Sequence, residues 1–146
     1  MLAVESKIAA GNGRTPQPES TAAWKQIVEP VEPFLESVAT RLARQVHEFD
    51  PALAQYAEYA LNGHGKHLRP TLVALAANSL GKTNDSHATV AVIIEMVHLA
   101  TLVHDDIMDE AEVRRGQLTL AANWGNEIAV LFGDCLFAQS LKLAAS

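Results

Sequence analysis

This chain has little from which to build sheets or covalent staples. Its single cysteine in 146 residues, Cys135, excludes an intrachain disulfide and a multi-cysteine metal site. It lies among apolar residues and reads as a small core side chain. Aromatic residues make up only 5%. The apolar content is mostly Ala, Leu and Val, which favours helices over sheets. Positive charge is in deficit: the net charge of -6 argues against a nucleic-acid partner. Met1 to Ala10 lacks the charged, then apolar, then small pattern of a signal peptide. The most apolar run, Val90 to Val103, carries Glu95, His98 and Thr101 and is too short to span a bilayer. No transmembrane segment is expected, and the cytoplasm is the default location. Hydrophobic residues at 49% against 19% charged residues describe one globular domain with a real core.

Helical periodicity organises most of the chain. Residues 1 to 20, with Gly11, Gly13, Pro16 and Pro18, read as a flexible leader, and residues 21–146 as the folded part. Ile27, Val31, Phe34, Leu35, Val38, Leu42, Val46 and Phe49 recur at helical spacing, with the regular helix expected to begin near Pro33. Asp50-Pro51 restarts a short helix to about Leu61, and Asn62-Gly63-His64-Gly65 breaks it. A third helix is expected from Leu68 to Leu80, stopped by Gly81. Asp85 or Ser86 should cap a fourth that continues to about Met108. Gly116 to Trp124 reads as a loop, and a last helix should cover Asn126 to Ala145. The expectation is an all-α chain of about five helices without strands.

The helix from Ser86 to Met108 is apolar almost all round, so it should lie centrally. Its polar exceptions are ordered: His98, Thr101, Asp105 and Asp109 are three, four and four residues apart and form one stripe. Burying such a stripe is costly unless it is satisfied or faces a wet cavity. Taken alone, His98 is most simply a hydrogen-bonded core histidine; in line with the aspartates it reads as a lining residue. Glu95 is ambiguous, with a basic partner across the bundle as one reading. Asp105, Asp106 and Asp109 crowd three carboxylates onto a helix C-terminus, where the macrodipole already disfavours anions. Such a cluster is either well solvated or neutralised. A hard cation such as Mg2+, held through one or two carboxylates and completed by substrate phosphates, fits it.

Cations flank this cluster. Lys66 and Arg69 sit three apart at a helix start, where free backbone N–H groups also favour anions. Arg114 and Arg115 follow the carboxylates, and arginine suits bidentate phosphate binding. Either pair alone is commonplace surface charge. Together with the acidic cluster they fit one diphosphate held through metal and another held by cations.

At these residues the chain resembles the trans-polyprenyl diphosphate synthases. Gly65-Lys66-x-x-Arg69-Pro70 is similar to their GK-x-x-RP element. Glu95-Met96-x-His98, His104-Asp105-Asp106-x-x-Asp109 and Arg114-Arg115-Gly116 resemble their first aspartate-rich motif with its trailing arginines. Trp124-Gly125-Asn126 and Ala129-Val130-Leu131-x-Gly133-Asp134 resemble the segment that follows. His64, His67 and Leu118 depart from the pattern. The resemblance implies an isoprenoid-synthase-type helical bundle, homodimeric or completed by another subunit, that condenses isopentenyl diphosphate with an allylic diphosphate. It implies that Asp105, Asp106 and Asp109 hold Mg2+ as catalytic metal ligands. Arg114 would contact the allylic diphosphate, and Lys66, Arg69, His98 and Arg115 would hold isopentenyl diphosphate. Ala100 and Thr101, neither aromatic, would form a chain-length pocket open to medium or long products. No second DDxxD occurs in these residues. The bundle is therefore expected to be incomplete and not to finish the reaction alone. The alternative is a non-catalytic diphosphate-binding or interaction subunit that pairs with another chain. A purely structural helical protein with incidental acidic residues is the blandest reading.

Overall fold

The computed structural model describes residues 18–61 and 67–146. Compactness divides the chain at Pro30 into two units. The described part of the first is a helix, α1 (Pro18–Val28), absent from the expected elements. Its signals are local: a proline in the first turn, two alanines and Lys25 in the last turn. Residues 1–17 of the expected leader lie outside the described residues.

The second unit, Val31–Ser146, carries the core. Helix α2 (Glu32–Gln45) starts with a proline in its first turn and buries Phe34 and Val38. Asp50 accepts the Ala52 N–H at 2.8 Å and so opens a 3-10 turn, Pro51–Leu53, that runs into α3 (Ala54–Leu61). The expected break at residues 62–65 lies outside the described residues. Helix α4 (Leu68–Ser79) buries Pro70, Thr71, Ala74 and Ala77, a single stripe.

Helix α5 (Asp85–Met108) is the centre of the unit and packs most extensively on a C-terminal helix, α7 (Asn126–Ala144), then on α4 and α2. The expected cap, Asp85 or Ser86, is wrong by one residue. Asn84 accepts the His87 N–H while His87 Nδ1 accepts the Asn84 N–H, both at 3.1 Å. Asp85 is instead free to pair with Arg41 at 2.7 Å. The helix is also longer than the apolar run that suggested it. With 24 residues and a mean hydropathy of 1.6 over its most apolar 18, it is long and apolar enough to cross a membrane by length and composition. Its small residues Ala88, Ala91 and Ala100, buried beside Val92, Met96 and Val103, let the neighbouring helices approach closely.

Two further elements correct the expected loop and the absence of strands. Val113–Arg114 (β1) pairs antiparallel with Gln117–Leu118 (β2). The turn between them has φ of 52° at Arg115 and 81° at Gly116, as a two-residue primed hairpin turn requires. Thr119 then caps α6 (Leu120–Trp124), accepting the Ala122 N–H while donating to Ala111 O at 2.7 Å. Few aromatics suffice because they are concentrated. Tyr56 and Tyr59 meet Trp124 edge-on at 5.3 and 4.8 Å, and Phe49 lies 5.7 Å from the fully buried Phe132. Apart from the short hairpin, the described residues are all-α, and those of the second unit form a helical bundle.

Candidate functional site

Three elements position the polar stripe. The C-terminal end of α5 supplies the carboxylates, the β1–β2 hairpin supplies two arginines, and the start of α4 supplies a third. The hairpin is fastened to α3 at one side and closed at its base. Tyr59 donates to Leu118 O at 2.7 Å, and Thr119 N–H donates to Glu112 O at 2.9 Å. Its return brings Arg114 back over α5, where Nε donates to Asp106 Oδ1 at 2.7 Å. The Asp106 side chain is only 8% exposed. A buried carboxylate needs such a partner, because an unpaired one would carry the full desolvation penalty. A cavity of about 240 Å³ opens beside this pair, walled in part by Tyr59, Leu99, Leu102 and Leu118.

The three aspartates therefore do not behave alike. Asp106 points inward and is paired. Asp105 is half-buried and Asp109 is exposed, four residues apart along the helix edge. Among the described residues, no three His, Cys, Asp or Glu side chains are grouped so as to hold a metal ion among themselves. The inward turn of Asp106 onto Arg114 gives the physical reason. Two hard oxygen donors at helical spacing remain, a set that suits an ion completed by water and phosphate.

His98 reports what surrounds the stripe. Burial holds its imidazole below the ordinary value of 6.5; the charges of Arg69, Arg115 and Arg114 push the same way, and Asp105 opposes them. Three guanidinium groups from α4 and the hairpin thus act on one imidazole beside the carboxylates. Lys66, the other cation expected here, lies outside the described residues. Thr101 is exposed, and its hydroxyl is satisfied within its own helix, donating to His98 O at 2.7 Å. Ala100 is fully buried in the core, so the two residues expected to share a pocket lie on different faces. Glu95 has no basic partner among the described residues, and its Oε1 is buried without a hydrogen bond.

His104, which had no assigned role in the sequence, is engaged with α7. Its Nε2 lies 3.4 Å from Val130 O and 3.6 Å from Asp134 Oδ1. The only signal for this contact was a glycine, Gly133, inside an otherwise regular helix.

Comparison with known proteins agrees with this architecture. The polyprenyl synthetase family profile matches residues 50–146. An octaprenyl diphosphate synthase from Haemophilus influenzae is 35% identical over 120 residues, covering 82% of this chain and 36% of that protein. Component 2 of a heptaprenyl diphosphate synthase from Geobacillus stearothermophilus is 40% identical over 111 residues, covering 76% and 35%. Among solved structures, a polyprenyl synthase from Caulobacter crescentus CB15, complexed with calcium and isoprenyl diphosphate, superposes with a TM-score of 0.75. It is 34% identical, with 84% of this chain and 37% of that one covered. The chain spans about a third of the length of the curated relatives it matches. On this sequence match and this fold, it belongs to the polyprenyl synthetase family.

Proposed function

We propose that these residues form the first-aspartate-motif half of a prenyltransferase site, which condenses isopentenyl diphosphate with an allylic diphosphate in isoprenoid biosynthesis. The observation that carries this reading is the hairpin's Arg114 seated on Asp106 of the aspartate cluster at 2.7 Å, with Arg69, Arg115 and Asp105 near enough for their charges to act on His98. Cations and carboxylates on one surface suit two diphosphates held in different ways. Asp105 and Asp109 would hold Mg2+, with the allylic diphosphate completing its oxygen ligands. When bound, the ion supplies electrostatic stabilisation of the charge that develops on the departing diphosphate.

The sequence placed Asp106 on the metal as well. Its pairing with Arg114 favours a different part, fixing the hairpin that presents both arginines. Arg69, Arg115 and His98, with Lys66, hold isopentenyl diphosphate, and the exposed edge of Arg114 faces the allylic one. In the reaction the allylic C–O bond breaks and the diphosphate leaves with its electron pair. The isopentenyl double bond then attacks the allylic carbon, and loss of a proton restores neutrality. Thr101, small and on the exposed face one turn before Asp105, leaves room for a growing chain, which supports a medium or long product. The cytoplasm fits the soluble diphosphate substrates.

The experiment is a thermal-shift titration with inorganic pyrophosphate, with and without Mg2+, followed by an assay with labelled isopentenyl diphosphate and an allylic primer. We expect a Mg2+-dependent rise in Tm that Asp105→Ala removes. No rise in the wild-type protein would overturn the reading.

A second reading is a subunit that binds diphosphate but completes its site with another chain. The similarity to a protein named component 2 favours it, as do the large apolar side chains exposed on α7, Val130, Leu131 and Leu141. Turnover that appears only when a complementing subunit is added would select it.

A further inference from the structure

The last turn of α5 faces a mechanical problem. It carries three carboxylates at the negative end of the helix dipole, where repulsion favours fraying. Yet Asp105 has to keep a fixed direction to hold an ion. Its two neighbours in the sequence are both anchored, and to different elements. Asp106 is tied to the hairpin through Arg114. His104 is tied to α7.

The second anchor is a ring seated in a slot. The slot lies between Val130, Gly133, Asp134 and Phe137, the four-residue hole that one helix offers to a side chain of another. The His104 ring lies 5.8 Å from that of Phe137. A Cβ added at Gly133 would overlap His104 Nε2 and lie 2.6 Å from Cδ2 and 3.0 Å from Cε1. Gly133 is buried and has ordinary helical backbone, so no turn or positive φ explains the glycine. The space taken by the imidazole does explain it. With Nε2 protonated, the ring donates to Val130 O, and Asp134 Oδ1 lies 3.6 Å from the same nitrogen, so its edge faces polar atoms of α7.

We propose that His104, keyed over Gly133, is a positioning residue that sets the rotation of the last turn of α5 and thereby the aim of Asp105. The functional consequence rests on the diphosphate-site reading above; the mechanical one does not. Between them, the His104 key and the Asp106–Arg114 pair hold Asp105 from both sides while leaving its own carboxylate uncommitted.

The test compares the wild-type chain with Gly133→Ala, His104→Ala and the double variant. Alanine is a better helix former than glycine, so without the key Gly133→Ala would raise Tm. With it, the variant lowers Tm, and the same substitution raises Tm in the His104→Ala background, where the ring is gone. That reversal of sign is the stability signature. Hydrogen exchange reads the turn directly. The Asp109 and Ala111 amides, which donate to Asp105 O and Asp106 O, exchange faster in both single variants than in the wild type. Residues that orient a metal ligand typically contribute ~10- to 100-fold to affinity. A loss of that size in Mg2+–pyrophosphate affinity is expected for His104→Ala, measured where circular dichroism shows every variant folded. Ser140→Gly, a buried α7 change two turns beyond Gly133, lowers Tm without that loss.

Gly133→Ala that raises Tm in both backgrounds, or unchanged exchange at Asp109 and Ala111 in His104→Ala, would overturn the proposal. If Gly133→Ala does not fold, His104→Ala decides through exchange and affinity. A wild-type chain that fails to bind Mg2+–pyrophosphate overturns the diphosphate reading instead, and the exchange and Tm data then decide the key by themselves.

Discussion

Two helix ends in this molecule carry charge of the sign their dipoles disfavour. At the start of α4, Arg69 adds positive charge to a terminus that is already positive. At the end of α5, Asp105 and Asp109 add negative charge to one already negative. The two ends are built differently. Among the described residues the α4 start has no side-chain cap, and His67 before it adopts a left-handed φ of 46°. Its backbone N–H groups and Arg69 are left to face an anion. The α5 end is fastened by the Asp106–Arg114 pair, the hairpin and the His104 contact with α7. An anion can be met directly by N–H groups and guanidinium groups, which adjust to it. A metal ion requires carboxylates held at fixed spacing against their mutual repulsion. The difference in fastening matches the two ligands proposed for these ends.

The contrast can be broken at several points. Asp105→Ala should have the largest effect, a loss of at least ~100-fold in Mg2+-dependent pyrophosphate affinity, or about 2.7 kcal/mol. Calorimetry on the folded variant measures it, and an unchanged affinity would remove α5 from the metal site. Arg114→Ala comes next, because it leaves Asp106 buried and unpaired. Arg114 is 37% exposed, so water offsets part of the penalty; we expect about 2–3 kcal/mol of lost stability in urea denaturation. Asn84→Ala tests the opposite end of the same helix. It should lower stability by about 1 kcal/mol through the lost capping box and leave pyrophosphate affinity unchanged.

The smallest effect is on pH dependence. The folded-state pKa of His98 lies below its ordinary 6.5. Below pH 6.5 the unfolded chain therefore binds this proton more readily, and stability falls as pH falls. Tm measured from pH 7.5 to 5 should decline less steeply in His98→Gln than in the wild type. Equal slopes would mean that burial and the three arginines together do not lower this imidazole's pKa.

The sequence was most legible where periodicity ran long. The extents of α5 and α7 were readable to within a residue or two, because each offers more than four turns of apolar pattern. The hairpin was missed because its turn is Arg115-Gly116 rather than Asn-Gly and its strands have two residues each. Helix α6 was missed for its length of five residues. At the site, the spacing of His98, Asp105 and Asp109 was legible as one stripe. The inward turn of Asp106 was not, since it depends on a hairpin that brings Arg114 back across eight residues. Ala100 and Thr101, adjacent in sequence, lie on different faces. That assignment depends on which side of α5 is covered by α7, α4 and α2, which periodicity on a nearly all-apolar helix does not specify.

The most direct test is calorimetric titration of inorganic pyrophosphate into the wild-type chain, Arg69→Gln and Asp105→Asn, each with and without Mg2+. The account predicts two separable components. A metal-independent one should weaken about tenfold in Arg69→Gln, and a Mg2+-dependent one should disappear in Asp105→Asn. A single component that ignores both substitutions, or no binding under either condition, would contradict it.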